Sequence, residues 1–70
     1  MNINNIKKLI EDNKGKIVEV KLNVGRNKFE YFTGQIKETY PYLFTIKKEN
    51  ELKSFSYSDI LTKTLIMKFN

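Results

Sequence analysis

The chain contains no cysteine, no histidine and no tryptophan. Without cysteine there is no disulfide, no thiolate nucleophile and no sulfur ligand for zinc, which suits a reducing compartment. Without histidine, the side chain that most often moves protons near neutral pH is missing, together with the usual imidazole metal ligand. One proline and three glycines among 70 residues leave few breaks, so short turns must join the elements. No apolar run approaches the roughly 18 residues of a membrane helix. No charged-then-apolar segment opens the chain as a secretion signal would, so the expected location is the cytoplasm, away from membranes.

What is present fits one small domain. Of the residues, 40% are hydrophobic and 13% aromatic, enough for a modest core. A chain this short buries only about 60% of its unfolded surface. Thirteen Lys and Arg against eight Asp and Glu leave a net charge of +5, which favours acidic partners such as nucleic acid or an acidic protein face.

The stretch from Phe29 to Ile46 organises the rest. Phe29, Tyr31 and Thr33 alternate with Glu30 and Phe32, the period of a strand with one buried face. Gly34 then marks a bulge or sharp bend, and the strand resumes from Gln35 to Glu38. Tyr40-Pro41 stops it, because proline fixes φ and lacks an N–H. Leu43 to Ile46 runs back with Phe44 and Ile46 on one face. A strand bent in the middle can pair in two directions, which is how a small sheet closes into a barrel.

Before this stretch, Asn2 to Asn13 reads as a helix, with Ile3, Ile6, Leu9 and Ile10 on one face. Asn2 or Asn4 caps it and Gly15 ends it. Lys16 to Val24 is a strand with Val18, Val20, Leu22 and Val24 on one face, and Gly25-Arg26-Asn27-Lys28 is a turn. After it, the polar turn Lys47 to Glu51 leads to a strand, Leu52 to Tyr57, with Phe55 and Tyr57 inward. Ser58 caps a single helical turn through Leu61, and Thr62 to Phe69 is the last strand, with Leu65, Met67 and Phe69 inward. The expectation is a mainly β fold over residues 1–70. It comprises a helix through residue 14 and a five-stranded SH3-like (Sm-like) barrel over 16–69. The rival OB barrel would more often carry a helix between its third and fourth strands, where this chain has a polar turn.

Gly34-x-Ile36, then Glu38-Thr39-Tyr40-Pro41, Phe44-x-Ile46 and Ser56-Tyr57-Ser58-Asp59-Ile60-Leu61-Thr62 together resemble the Veg proteins of Gram-positive and related bacteria. Gly15-Lys16 and Gly25-Arg26-x-Lys28 share the likeness, which covers about Ile6 to Asn70. The resemblance implies a small SH3-like barrel that stimulates biofilm formation. It further implies action on transcriptional control of matrix genes, by opposing a repressor, with no enzymatic activity. The chain departs from the family pattern at Asn27, where other members carry a second arginine, and this thins the basic cluster.

Two stretches invite a partner. Arg26 and Lys28 sit on a tight turn beside a glycine, an arrangement that can hold a phosphate or carboxylate or simply solvate a hairpin. Tyr40 and Tyr42, flanked by Lys37 and Lys47, can stack a base, receive a peptide or merely pack a turn. Ser58 beside Asp59 lacks the base that a serine nucleophile needs, so capping explains both residues. Glu49 and Glu51 are too few for a Mg²⁺ or Ca²⁺ site. The expected site therefore has no catalytic residue, cofactor or metal. Its contact residues are Arg26, Lys28, Lys37, Tyr40, Tyr42 and Lys47. The expected partner is a protein, a transcriptional regulator by the resemblance. Nucleic acid is the alternative, and edge strands offer pairing with a second copy.

Overall fold

A computed structural model describes residues 2–69. Helix α1 spans Ile3–Asp12. Strand β1 (Ile17–Gly25) precedes β2 (Lys28–Thr39), β3 (Leu43–Lys48) and β4 (Glu51–Ser56). A one-turn helix, α2 (Tyr57–Leu61), leads to β5 (Leu65–Phe69). The strands form a single antiparallel sheet in the order β4-β3-β2-β1-β5. The barrel expected from the sequence is not closed: β4 and β5 stand at the two edges, each paired on one side only. Side chains from both edges nevertheless reach one core. Leu65 of β5 is buried in it and Phe55 of β4 packs against it. The sheet therefore coils around its apolar face.

Strand β2 makes this possible. Its first part pairs with β1 from Phe29 to Gln35, and its second part pairs with β3 from Gln35 to Thr39. Gly34 stands just before the changeover, but it is not a bulge, since Val18 faces it in unbroken register. Its lack of a side chain matters for space. A Cβ at Gly34 would collide with the Ile46 side chain and lie 2.9 Å from the Lys47 carbonyl. The irregularity in register falls later, between Ile36 and Thr39. There the freed Glu38 N–H donates to Thr45 Oγ1 at 3.0 Å, and Thr45 is the one buried polar residue among those described. The hydroxyl thus replaces the ladder bond that the part-buried Glu38 N–H gives up at the irregularity.

The core holds Ile6, Ile10, Val18, Val20, Phe32, Ile36, Phe44, Ile46, Tyr57 and Leu65. Phe44 lies 5.4 Å from Tyr57 and 6.0 Å from Phe55, centroid to centroid, within the range of favourable ring pairs. Helix α1 is too short to hold itself together in water and depends on sending Ile6 and Ile10 into this core. Asn2 caps it, accepting from the Asn5 N–H at 3.0 Å. At its exit the Gly15 N–H donates to the Ile36 carbonyl at 2.7 Å, and the Ile36 N–H donates back to Lys16 at 3.1 Å. These bonds tie the helix to the changeover in β2.

Four local expectations are corrected. Ser56, not Ser58, caps α2, accepting from the Ser58 N–H at 3.1 Å, so Tyr57 opens the helix and does not end β4. The last strand begins at Leu65, because Lys63 adopts a left-handed φ of 63° and completes the turn out of α2. Val24, Ile3 and Leu9 are exposed at the ends and margins of their elements. In β2 the buried side belongs to Phe32, Gly34 and Ile36, which leaves Phe29, Tyr31 and Thr33 facing outward.

Candidate functional site

The six residues singled out from the sequence fall into three places. Arg26 lies at the tip of the β1–β2 turn, which closes through a left-handed Asn27 (φ 54°), and Lys28 follows immediately before Phe29. Asn27, which thins the basic cluster, also suits this backbone, because asparagine tolerates the left-handed region better than arginine does. Tyr40 and Tyr42 lie at the opposite end of the twelve-residue β2, in the β2–β3 turn. Lys37 precedes that second turn on β2, whereas Lys47 lies toward the far end of β3, directly opposite Gln35. The structure brings Lys37, Tyr40 and Tyr42 to one end of β2, and holds Arg26 and Lys28, and separately Lys47, apart from them.

The rim is rigid for an identifiable reason. The Tyr40 N–H donates to the Leu43 carbonyl at 2.8 Å, closing a turn around a trans Pro41. From beneath, the Tyr57 hydroxyl donates to the Tyr40 carbonyl at 2.9 Å. Tyr57 is buried, and its pKa is raised, first by loss of solvent and second by the nearby Glu11 charge. The phenol is thereby held neutral as a donor. Tyr42 is 85% exposed at the tip of this pinned turn and Tyr40 is 49% exposed, so neither ring belongs to the core.

A third surface escaped the sequence reading. On the outer face of β5, β1 and β2, two rows of side chains cross the sheet. One runs Lys68–Glu19–Thr33 and the other Ile66–Lys21–Tyr31, with Phe29 opposite Asn23 beside them. The first two rows line a trough of about 440 Å³. Tyr31 is 71% exposed and Phe29 39%. The Lys21 ammonium sits 4.3 Å from the centre of the Phe29 ring and 5.9 Å from that of Tyr31. Among the described residues the one ion pair is Lys14 with Glu38, at 3.2 Å, so Lys21 and Lys68 carry charge without a carboxylate partner. The outer face of a half-buried antiparallel sheet is ordinarily polar. The residues alone carry no signal for this face; in the structure the lack of room for a Cβ at Gly34 turns that position inward, and counting by two from it turns Phe29 and Tyr31 outward.

The opposite face has a smaller feature of the same kind. Lys48 and Lys53 lie 5.1 and 5.4 Å from the centre of the Phe32 ring, shielding its edge of the core. Their stems cover apolar surface while their charges reach water.

The fold is that of a small, mainly β domain: one coiled antiparallel sheet with short helices and two exposed surfaces that combine aromatic and basic side chains. The comparison with known proteins gives this class a family. The model of the biofilm formation stimulator Veg family matches residues 1–68, and the chain belongs to that family. Among curated proteins none matches the chain. Among the described residues no helix is long and apolar enough to cross a membrane.

Proposed function

We propose that the protein is a non-enzymatic regulatory binding protein of the cytoplasm. It acts on transcriptional control of biofilm matrix genes by contact with a protein regulator. Membership of a family described as biofilm formation stimulators supports the biological setting. The pinned β2–β3 rim carries the contact reading: two exposed tyrosines on a hydrogen-bonded turn, with Lys37 preceding them on β2. Rigid aromatics lose little entropy on binding, and a flanking cation steers an acidic surface into place. The coiled sheet acts as an SH3-like barrel in this reading, and its unpaired β4 and β5 edges allow a second copy to add on.

The test is a matrix-gene reporter in a biofilm-forming bacterium lacking its own Veg-family gene. Wild-type protein should raise the reporter. The Lys37→Ala, Tyr42→Ala double variant, folded by its melting curve, should not raise it and should fail to retain the regulator from nuclease-treated lysate. Full activity from that folded variant would place the contact elsewhere.

A further inference from the structure

We propose that the outer face of β5, β1 and β2 binds single-stranded nucleic acid, with bases stacked on Phe29 and Tyr31. Three observations converge on this ligand. First, the two rings are exposed and lie two residues apart on one strand, hence about 6.7 Å apart along it. That spacing exceeds the 3.4 Å step of a duplex strand and suits successive bases of an unstacked, extended strand. Second, cations lie on both sides of the rings. Lys21 rests on them, Lys68 lies across the trough, and Arg26 stands in the turn that leads into the strand of the two rings. Glu19 is the one carboxylate lining the trough, so the face complements a polyanion. Third, Lys21 has no ion-pair partner among the described residues and is parked on the aromatic pair. An incoming base takes its place on the ring, and the released ammonium is then within reach of the adjoining phosphate. A duplex is disfavoured, because its bases present no free face to stack on. Stacking and backbone charge, without base-edge hydrogen bonds, make the site tolerant of sequence.

This proposal is independent of the rim contact. Lys37, Tyr40 and Tyr42 are at the other end of β2, so failure of one reading leaves the other standing.

The experiment is a fluorescence anisotropy titration of the full chain against labelled 12-mers of oligo-dT and oligo-U, at about 50 and about 200 mM salt. Saturable binding that weakens with salt is expected. Tyr31→Ala should weaken it about tenfold or more, the range of one lost stacking contact. Lys21→Gln keeps the rings and should flatten the slope of log affinity against log salt by about 0.7. Leu52→Ala, an equally exposed apolar residue on the far edge strand, should bind as wild type does. Absence of saturable binding at the lower salt overturns the proposal, as does equal affinity of wild type and Tyr31→Ala. A dimer by sedimentation that Tyr31→Ala dissociates, with no oligonucleotide bound, overturns it in favour of a second copy. Capture of a protein through Tyr31 after nuclease treatment, again with no oligonucleotide bound, overturns it in favour of a protein partner.

Discussion

The two faces of strand β2 carry similar residues to opposite ends. Phe32 points inward, packs 6.2 Å from Phe55 and is nearly sealed from water. Tyr31, its neighbour, points outward with most of its ring in solvent. Both aromatics favour a strand, and nothing in their chemistry decides which is core. Gly34 decides it. Because β2 crosses β3 too closely for a side chain there, the even positions must face in and the odd ones out. The inner row supports the fold, and the outer row is left free to bind. Substitutions on the two rows should therefore have separate consequences.

The largest effect is expected from emptying the inner side. Phe44→Ala removes a fully buried ring that contacts both Tyr57 and Phe55 and should cost about 3–5 kcal/mol. That is a large share of the stability of a domain this small, and chemical denaturation monitored by circular dichroism would measure it. Survival with a loss below about 1 kcal/mol would mean that the inner row does not support the fold. Next comes the element that sets the parity. Gly34→Ala must push a methyl into Ile46 and toward the Lys47 carbonyl, and should cost about 1–3 kcal/mol. A neutral result would mean that β2 and β3 are not so tightly crossed and that the inside–outside assignment lacks its cause.

A smaller effect belongs to the pinned rim. Tyr57→Phe keeps the ring in the core and deletes only the hydrogen bond to Tyr40, at a cost of about 1 kcal/mol. It also changes the response to pH. Burial, aided by Glu11, raises the Tyr57 pKa, so the fold favours the neutral phenol. The stabilising share is fully present below the unfolded value of about 10 and is lost as pH rises through the higher folded value. Denaturation midpoints of wild type should therefore fall more steeply above about pH 10 than those of Tyr57→Phe, and parallel curves would remove Tyr57 from the account.

Much of the architecture was legible in the residues. Ile6 and Ile10 at helical spacing announce the buried stripe of α1, and Val18 and Val20 announce the inner side of β1. What escaped had local physical causes. Aromatics occupy both faces between Phe29 and Phe32, so hydrophobic alternation cancels there and only a contact made through Gly34 reveals the sides. Either Ser56 or Ser58 can cap a turn, and the choice follows from Tyr57 needing to enter the core at the helix start. Closure of the sheet depends on how far its edges curl, a property of all five strands together that no single stretch encodes. The six candidate contact residues were chosen by type, and where they fall, at the β1–β2 turn, at the β2–β3 end or, for Lys47, opposite Gln35, is a matter of strand length and register. The trough around Lys21 joins three strands and has no signature in any one of them.

The most direct test compares adjacent residues on the two faces by thermal melting. Tyr31→Ala should move the midpoint by no more than about 4 °C, the range of an exposed substitution in a domain this size. Phe32→Ala, one position along, should lower it by more than about 12 °C if its ring is core. Equal shifts for the two variants, or a larger one for Tyr31→Ala, would contradict the division between a face that folds the protein and a face left to solvent.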